Sequence, residues 1–184
     1  MTRTRQRLES VSFLIVDPNV FMRSLIKNVL HVFGAGNFIE ADDGAEAYKA
    51  MQGLVPDIVI TEWMMDPLDG LDFTRLVRTG KDSPNPFVPI IMTTAYSEMQ
   101  RVVEARDAGI TEFIAKPLSA KTLMARVTAI VERPRPFIRS TRYFGPDRRR
   151  WRTSDYDGPE RRQSVADGGG ANLSQDDVEA LLDA

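Results

Sequence analysis

Short apolar runs alternate with stretches of helical spacing over the first two thirds of the chain. Val11-Ser12-Phe13-Leu14-Ile15-Val16 has the continuous apolar character of a strand buried on both faces. Pro18 suits a first helical position, where a missing N–H costs nothing. Val20, Phe21, Leu25, Ile26, Val29 and Leu30 follow at helical spacing, and Gly34 and Gly36 end that helix. Residues 37–41 predict a second strand, and Asp43-Gly44 opens a helix through Ala47, Tyr48 and Met51. Asp57–Glu62 is a third strand, followed by a helix that starts at Asp69-Gly70 and carries Phe73, Leu76 and Val77. Val88–Thr94 is a fourth strand, after a proline-rich loop at 83–86. A helix over 98–108 stops at Gly109. Residues 112–115 are a fifth strand, and a last helix runs from Ser119, as N-cap, to Glu132. Five strands alternating with five helices predict a doubly wound α/β fold, a parallel sheet with helices on both faces. Such sheets place their functional residues at the carboxyl ends of the strands.

The pattern then changes. The stretch 133–162 holds ten arginines, no lysine and four prolines (Pro134, Pro136, Pro146, Pro159). With so few aliphatic residues it is expected to be largely irregular and unable to build its own core. The net charge of −2 conceals a segregation. Residues 1–8 carry +3, residues 9–132 −6, residues 133–162 +6 and residues 163–184 −5. The chain divides accordingly into a domain at 9–132, a basic tail at 133–162, a linker at 163–171 containing Gly168-Gly169-Gly170, and a terminal helix at 172–184. The absence of cysteine excludes disulfides and thiolate metal sites. No apolar run approaches the roughly 20 residues of a membrane span. The basic Met1–Arg7 segment lacks the apolar core of a secretory signal. The expectation is a soluble cytoplasmic protein with no membrane insertion.

The strand ends carry chemistry. Leu14-Ile15-Val16-Asp17, Asp57–Glu62, Asp69-Gly70, Thr93-Thr94-Ala95 and Lys116-Pro117 together resemble the bacterial response-regulator receiver (CheY-like) family over residues 11–132. The resemblance implies a flavodoxin-like sheet with paired acids after the first strand and an aspartate ending the third. Together these would hold Mg²⁺ and accept a phosphoryl group. Here the first acid is Asp17, its partner position is Pro18, and the acceptor position is Glu62. Mg²⁺ demands near-octahedral oxygen ligands, and proline supplies none. The extra methylene of Glu62 displaces its carboxylate by about 1.5 Å, and misplacement of about 1 Å can cost about 100-fold in rate. No enzymatic activity and no Mg²⁺ requirement are therefore expected. Thr94 and Lys116 match the family's switch hydroxyl and lysine. Lys116 can pair with Glu62, either biasing the domain toward an active-like state or forming a plain ion pair in a retired pocket. Phe113 takes the place of the family's switch aromatic, with core packing as its expected role. His31, the single histidine, is expected at the surface.

The tail contains a repeat. Tyr143-Phe144-Gly145-Pro146-Asp147-Arg148-Arg149 and Tyr156-Asp157-Gly158-Pro159-Glu160-Arg161-Arg162 both read Tyr-x-Gly-Pro-acid-Arg-Arg. Guanidinium presents a planar fork to phosphate and to the guanine O6/N7 edge, which lysine does not. Asp147 and Glu160 can accept from guanine N–H groups, and Tyr143, Trp151 and Tyr156 offer stacking faces. Two such half-sites suit a ligand with two equivalent halves. Receiver followed by repeated Arg-rich extension resembles the CheY-like cyclic-di-GMP effectors of alphaproteobacterial motility control. That resemblance implies Arg148, Arg149, Arg161 and Arg162 as principal ligand contacts, with Arg139, Arg142, Arg150 and Arg152 secondary. It also implies a tail that folds on binding. The competing readings are a nucleotide-independent module whose tail meets acidic partners, and nonspecific binding to nucleic acid or anionic lipid; sequence-specific nucleic-acid recognition is not expected.

At the C-terminus, Ser174 can cap a helix, with Asp177 three residues on and Leu173 and Val178 at staple positions. Leu173, Val178, Leu181 and Leu182 give it an apolar face. Leu173–Leu182 resembles the segment of the flagellar switch protein FliM that binds activated CheY. That implies docking on a receiver face, this chain's own or another CheY-like protein's, and the protein partner expected is a flagellar switch or CheY-like/chemotaxis protein.

Overall fold

A computed structural model describes residues 8–95, 99–141, 143–148 and 163–165. Its elements are β1 (Ser12–Val16), α1 (Val20–Val32), β2 (Asn37–Ala41), α2 (Gly44–Gly53), β3 (Ile58–Glu62), α3 (Gly70–Thr79), β4 (Ile90–Thr94), α4 (Met99–Ala108), β5 (Glu112–Ala115) and α5 (Ala120–Glu132). The first five strands form one parallel sheet in the order β2-β1-β3-β4-β5. This is the doubly wound α/β arrangement the alternation predicts.

The core follows from the two-residue period of the strands. Leu14 and Val16 of β1, Val59 of β3 and Ile90 and Met92 of β4 enter one apolar layer, with Phe73 and Val77 of α3. Phe13 and Ile15, Ile58 and Ile60, and Ile91 and Ile114 enter the other, with Leu30, Leu123 and Val127. Alternate strand positions point to opposite faces, and both faces are roofed by helices, so the strands read as unbroken apolar runs. Phe113 is buried in the first layer, as expected of a packing role. His31 is exposed.

The helix starts are fixed by side-chain caps. Asp43 accepts from the backbone N–H of Ala45 and Glu46, Asp69 from Asp72 and Ser119 from Thr122. Asn19, which accepts from Phe21 and Met22, caps α1. Pro18 therefore lies outside the helix and not at its first position. A second correction concerns the faces of α1. Ile26 and Leu30 are buried, but Val20, Phe21 and Leu25 are 51%, 81% and 44% exposed. The apolar residues at the start of α1 exceed what one stripe can bury.

The extension departs most from expectation. Phe137–Ser140 (β6), Tyr143–Pro146 (β7) and Gln163–Val165 (β8) form an antiparallel sheet in the order β7-β6-β8. The composition of this stretch does not announce these three short strands. The tail has no core of its own; it borrows one. Phe137, Ile138 and Phe144 are buried. The Phe87 ring, from the loop before β4, lies edge-on at 5.4 Å from Phe137 and 5.2 Å from Phe144. Gly145 lies against Gly109, so close that a Cβ on Gly145 would stand 3.0 Å from the Gly109 Cα. Gly109 itself adopts φ +101°, which favours glycine.

Candidate functional site

The expected pocket forms at the carboxyl ends of β1, β3, β4 and β5. Asp17 follows β1 and is 2% exposed; its Oδ1 accepts from the backbone N–H of Asn19 at 2.8 Å. Glu62 ends β3 and is 8% exposed. Its Oε1 accepts from the backbone N–H of Trp63 at 2.7 Å and of Met64 at 3.3 Å. Gly70 holds the following turn against the strand: a Cβ there would lie 2.1 Å from the Glu62 carbonyl oxygen. Lys116 follows β5 and donates a backbone N–H to the Thr94 carbonyl at 2.7 Å. Its ammonium donates to Asp17 Oδ2 at 3.2 Å and, in close contact, to Glu62 Oε2. Thr94 is fully buried at the end of β4. All four pocket residues read from the sequence are therefore brought to one end of the sheet.

The electrostatics are those of a closed ion cluster. Burial alone would pull the Lys116 ammonium below the ordinary lysine value. The hydrogen bond and charge of Glu62, then those of Asp17, outweigh it and hold the group above that value. Both Glu62 oxygens are committed, one to backbone amides and one to Lys116. Pro18 contributes no side-chain oxygen where the family has an acid. The donor set therefore does not fit Mg²⁺, and no group of three or more His, Cys, Asp or Glu side chains placed to hold a metal occurs among the described residues.

A second cluster forms at the opposite end of the sheet. The Tyr143 hydroxyl donates to the Pro146 carbonyl at 2.6 Å, folding the tyrosine back over the Gly-Pro turn of its own motif. Arg148 lies with its guanidinium carbon 3.6 Å from the Tyr143 ring centroid. Its Nη1 is 3.0 Å from Asp107 Oδ1 on α4. Burial raises the Tyr143 hydroxyl above the ordinary tyrosine value, against the opposing effect of Arg148. Arg139 lies over Phe144 at 4.5 Å, and the Asp147 N–H donates to the Pro136 carbonyl. Beneath them Arg78 is 3% exposed. It donates to the carbonyls of Gly109 at 3.0 Å and Pro86 at 2.8 Å, and sits 5.0 Å from the Phe137 ring centroid. With no carboxylate among these partners, burial pushes the guanidinium down to about 9.

Arg139, Tyr143, Asp147 and Arg148 thus share one hairpin. Arg142, Arg149, Arg150, Trp151, Arg152, Tyr156, Glu160, Arg161 and Arg162 lie outside the described residues, as do Leu173, Val178, Leu181 and Leu182. Sequence reasoning missed Asp107, Arg78 and Phe87. The one available signal was Phe144, an aromatic where the second copy of the repeat has Asp157. Among the described residues no helix is long and apolar enough to cross a membrane.

Residues 13–128 match the response regulator receiver domain family. Chemotaxis protein CheY-3 of Vibrio cholerae is 34% identical over 125 residues, 68% of this chain and 95% of that protein. Chemotaxis protein CheY of Pseudomonas aeruginosa is 35% identical over 123 residues, 67% of this chain and 98% of that one. Among solved structures, CheY4 of Vibrio cholerae superposes with a TM-score of 0.59 at 26% identity, over 65% of this chain and 98% of its own. A CheX–CheY complex from Borrelia burgdorferi with beryllofluoride and Mg²⁺ gives 0.60 at 25% identity, over 65% of this chain and 88% of that one.

Proposed function

The chain belongs to the response regulator receiver family, and from that premise we propose that it is a signalling adaptor that acts by binding and not by phosphoryl transfer. The observation that carries this reading is the Lys116–Glu62–Asp17 cluster beside Pro18. Phosphoryl transfer depends on positioning and charge neutralisation. Here the acceptor position carries a carboxylate already bonded to lysine and backbone, and the second acid is absent. The domain needs no Mg²⁺ for this role, and the Glu62–Lys116 contact holds it in one state.

The input is cyclic-di-GMP, taken by the arginine-rich extension. Repetition of the motif, its exclusive use of arginine and its interleaved acids support a ligand with two guanines and two phosphates. The output is a protein contact on the chemotaxis or flagellar-switch side, made in the cytoplasm and at the motor. Its support lies in relatives named as chemotaxis proteins, in a similar solved structure that is a CheX–CheY complex, and in the FliM-like segment at 173–182. Exposed Val20, Phe21 and Leu25 on α1 offer further apolar surface for a partner.

Calorimetric titration of the purified chain with cyclic-di-GMP, with GTP and cyclic-di-AMP as controls, tests the input. Guanine-selective binding that is lost when Arg148, Arg149, Arg161 and Arg162 are all changed to Ala is expected. One observation favours a second reading, a nucleotide-independent interaction module: Arg148 is already paired within the chain, to Asp107. Absence of heat at moderate salt would select that reading.

A further inference from the structure

The two copies of the Tyr-x-Gly-Pro-acid-Arg-Arg motif are not equivalent. The first carries Phe144 at its second position and the second carries Asp157. Phe144 is 9% exposed and lies 5.2 Å from Phe87 and 5.8 Å from Phe137, ring centroid to ring centroid. A carboxylate, as at Asp157, cannot supply those ring contacts, and among the described residues it is the first copy that is seated on the receiver.

Seating the first copy also engages its arginine. Arg148 stacks on Tyr143 at 3.6 Å, and its Nη1 is 3.0 Å from Asp107 Oδ1. Its Nη2 reaches the Asp107 carbonyl at 3.5 Å. The Asp107 carboxylate oxygen meets the guanidinium as a phosphate oxygen would, through a charge-assisted hydrogen bond.

We propose that the first copy is a fixed anchor and that Asp107 is a built-in competitor, an internal carboxylate that a ligand phosphate must displace from Arg148. This rests on the cyclic-dinucleotide reading and adds to it the regulation of that site. Three features make the exchange inexpensive. Asp107 keeps a second cation when Arg148 leaves, because Arg106 Nη2 stands 2.9 Å from the same oxygen. The Asp107 and Arg148 side chains are 46% and 28% exposed, so the pair is hydrated and screened by salt. Among the described residues the Nε of Arg148 is buried without a hydrogen-bond partner, so Asp107 leaves part of the guanidinium fork unused. Phe137 and Phe144 meanwhile stay seated. The ligand recruits Arg148 from the anchored copy without undocking the hairpin.

The test is calorimetry of the full chain with cyclic-di-GMP, comparing wild type, Asp107→Asn and Glu104→Gln. Glu104 lies on the same helix and pairs with Arg75 and Arg101 instead. Asp107→Asn is expected to tighten binding about threefold, as befits an exposed ion pair. Glu104→Gln is expected to leave it unchanged, and hydrogen exchange is expected to show β6 and β7 still protected in the complex. Equal affinity in wild type and Asp107→Asn, an equal gain in both variants, or loss of protection in β6–β7 would overturn this proposal while leaving the dinucleotide reading intact. Absence of binding by all three proteins would overturn both.

Discussion

At the residue scale the pocket is decided by two side chains, Pro18 and Glu62. Each departure alone removes something the chemistry needs, a ligand oxygen in one case and acceptor geometry in the other. Restoring one is therefore expected to be insufficient. Acetyl phosphate with Mg²⁺ should label only the double variant Pro18→Asp with Glu62→Asp. Wild type and each single variant should be labelled at least about 100-fold more slowly in a phosphate-incorporation assay. Lys116 carries the opposite burden. Changing it to Met leaves the carboxylates of Asp17 and Glu62, 2% and 8% exposed, without their cation. A loss of about 3 kcal/mol is expected in urea unfolding, because removing one partner strands the others. The pH dependence has a definite sign. The folded-state value of Lys116 lies above the ordinary 10.5. Its stabilising contribution is thus complete below pH 10.5 and fades as pH rises through the raised value. The stability gap between wild type and Lys116→Met should be flat from about pH 7 to 10 and close above that.

At the element scale the receiver was legible and the hairpin was not, for one reason. A strand buried on both faces writes its environment into its own residues, as Phe13–Val16 and Ile58–Ile60 do. The acid, threonine and lysine at the strand ends are similarly local, so Asp17, Glu62, Thr94 and Lys116 could be assembled on paper. Phe137 and Phe144 are isolated aromatics in an arginine-rich stretch, and their partner Phe87 lies 50 residues before Phe137. Nothing local distinguishes an aromatic that stacks on a base from one that enters a distant core. The same holds for Arg148, whose Asp107 contact spans 41 residues. Phe144→Ala should weaken docking of β6 and β7 by about 3 kcal/mol, the cost of emptying an aromatic site. Hydrogen exchange should localise the effect, with faster exchange across Phe137–Pro146 and little change in β1 and β3.

On the scale of the whole molecule, the two clusters stand at opposite ends of one sheet. The pocket lies beyond the carboxyl end of β4, and the hairpin beyond its amino end, at Phe87 and Gly109. Five strand residues separate them by about 17 Å. A group held at Arg148 and a protein at the pocket end therefore do not compete for space. If cyclic-di-GMP binds the folded chain alone, its presence at 100 times its dissociation constant should raise stability by about 2.7 kcal/mol, read as an increase in melting temperature. Coupling to the output should appear as a partner affinity that changes with ligand, and unchanged affinity would confine the tail to a role separate from the receiver.

The antiparallel course of β4 and α4 has a mechanical meaning. At the pocket end the Thr94 carbonyl accepts from the Lys116 N–H, and at the other end the Ile90 carbonyl accepts from the Thr111 N–H at 2.9 Å, so both ends are tied. That second end carries Phe87 on one side and Asp107 with Gly109 on the other. The hairpin sits between the two, its phenylalanines against one and Arg148 and Gly145 against the other. The pair therefore has the form of a vice closed on the extension, its jaws braced against each other by the Thr111–Ile90 hydrogen bonds.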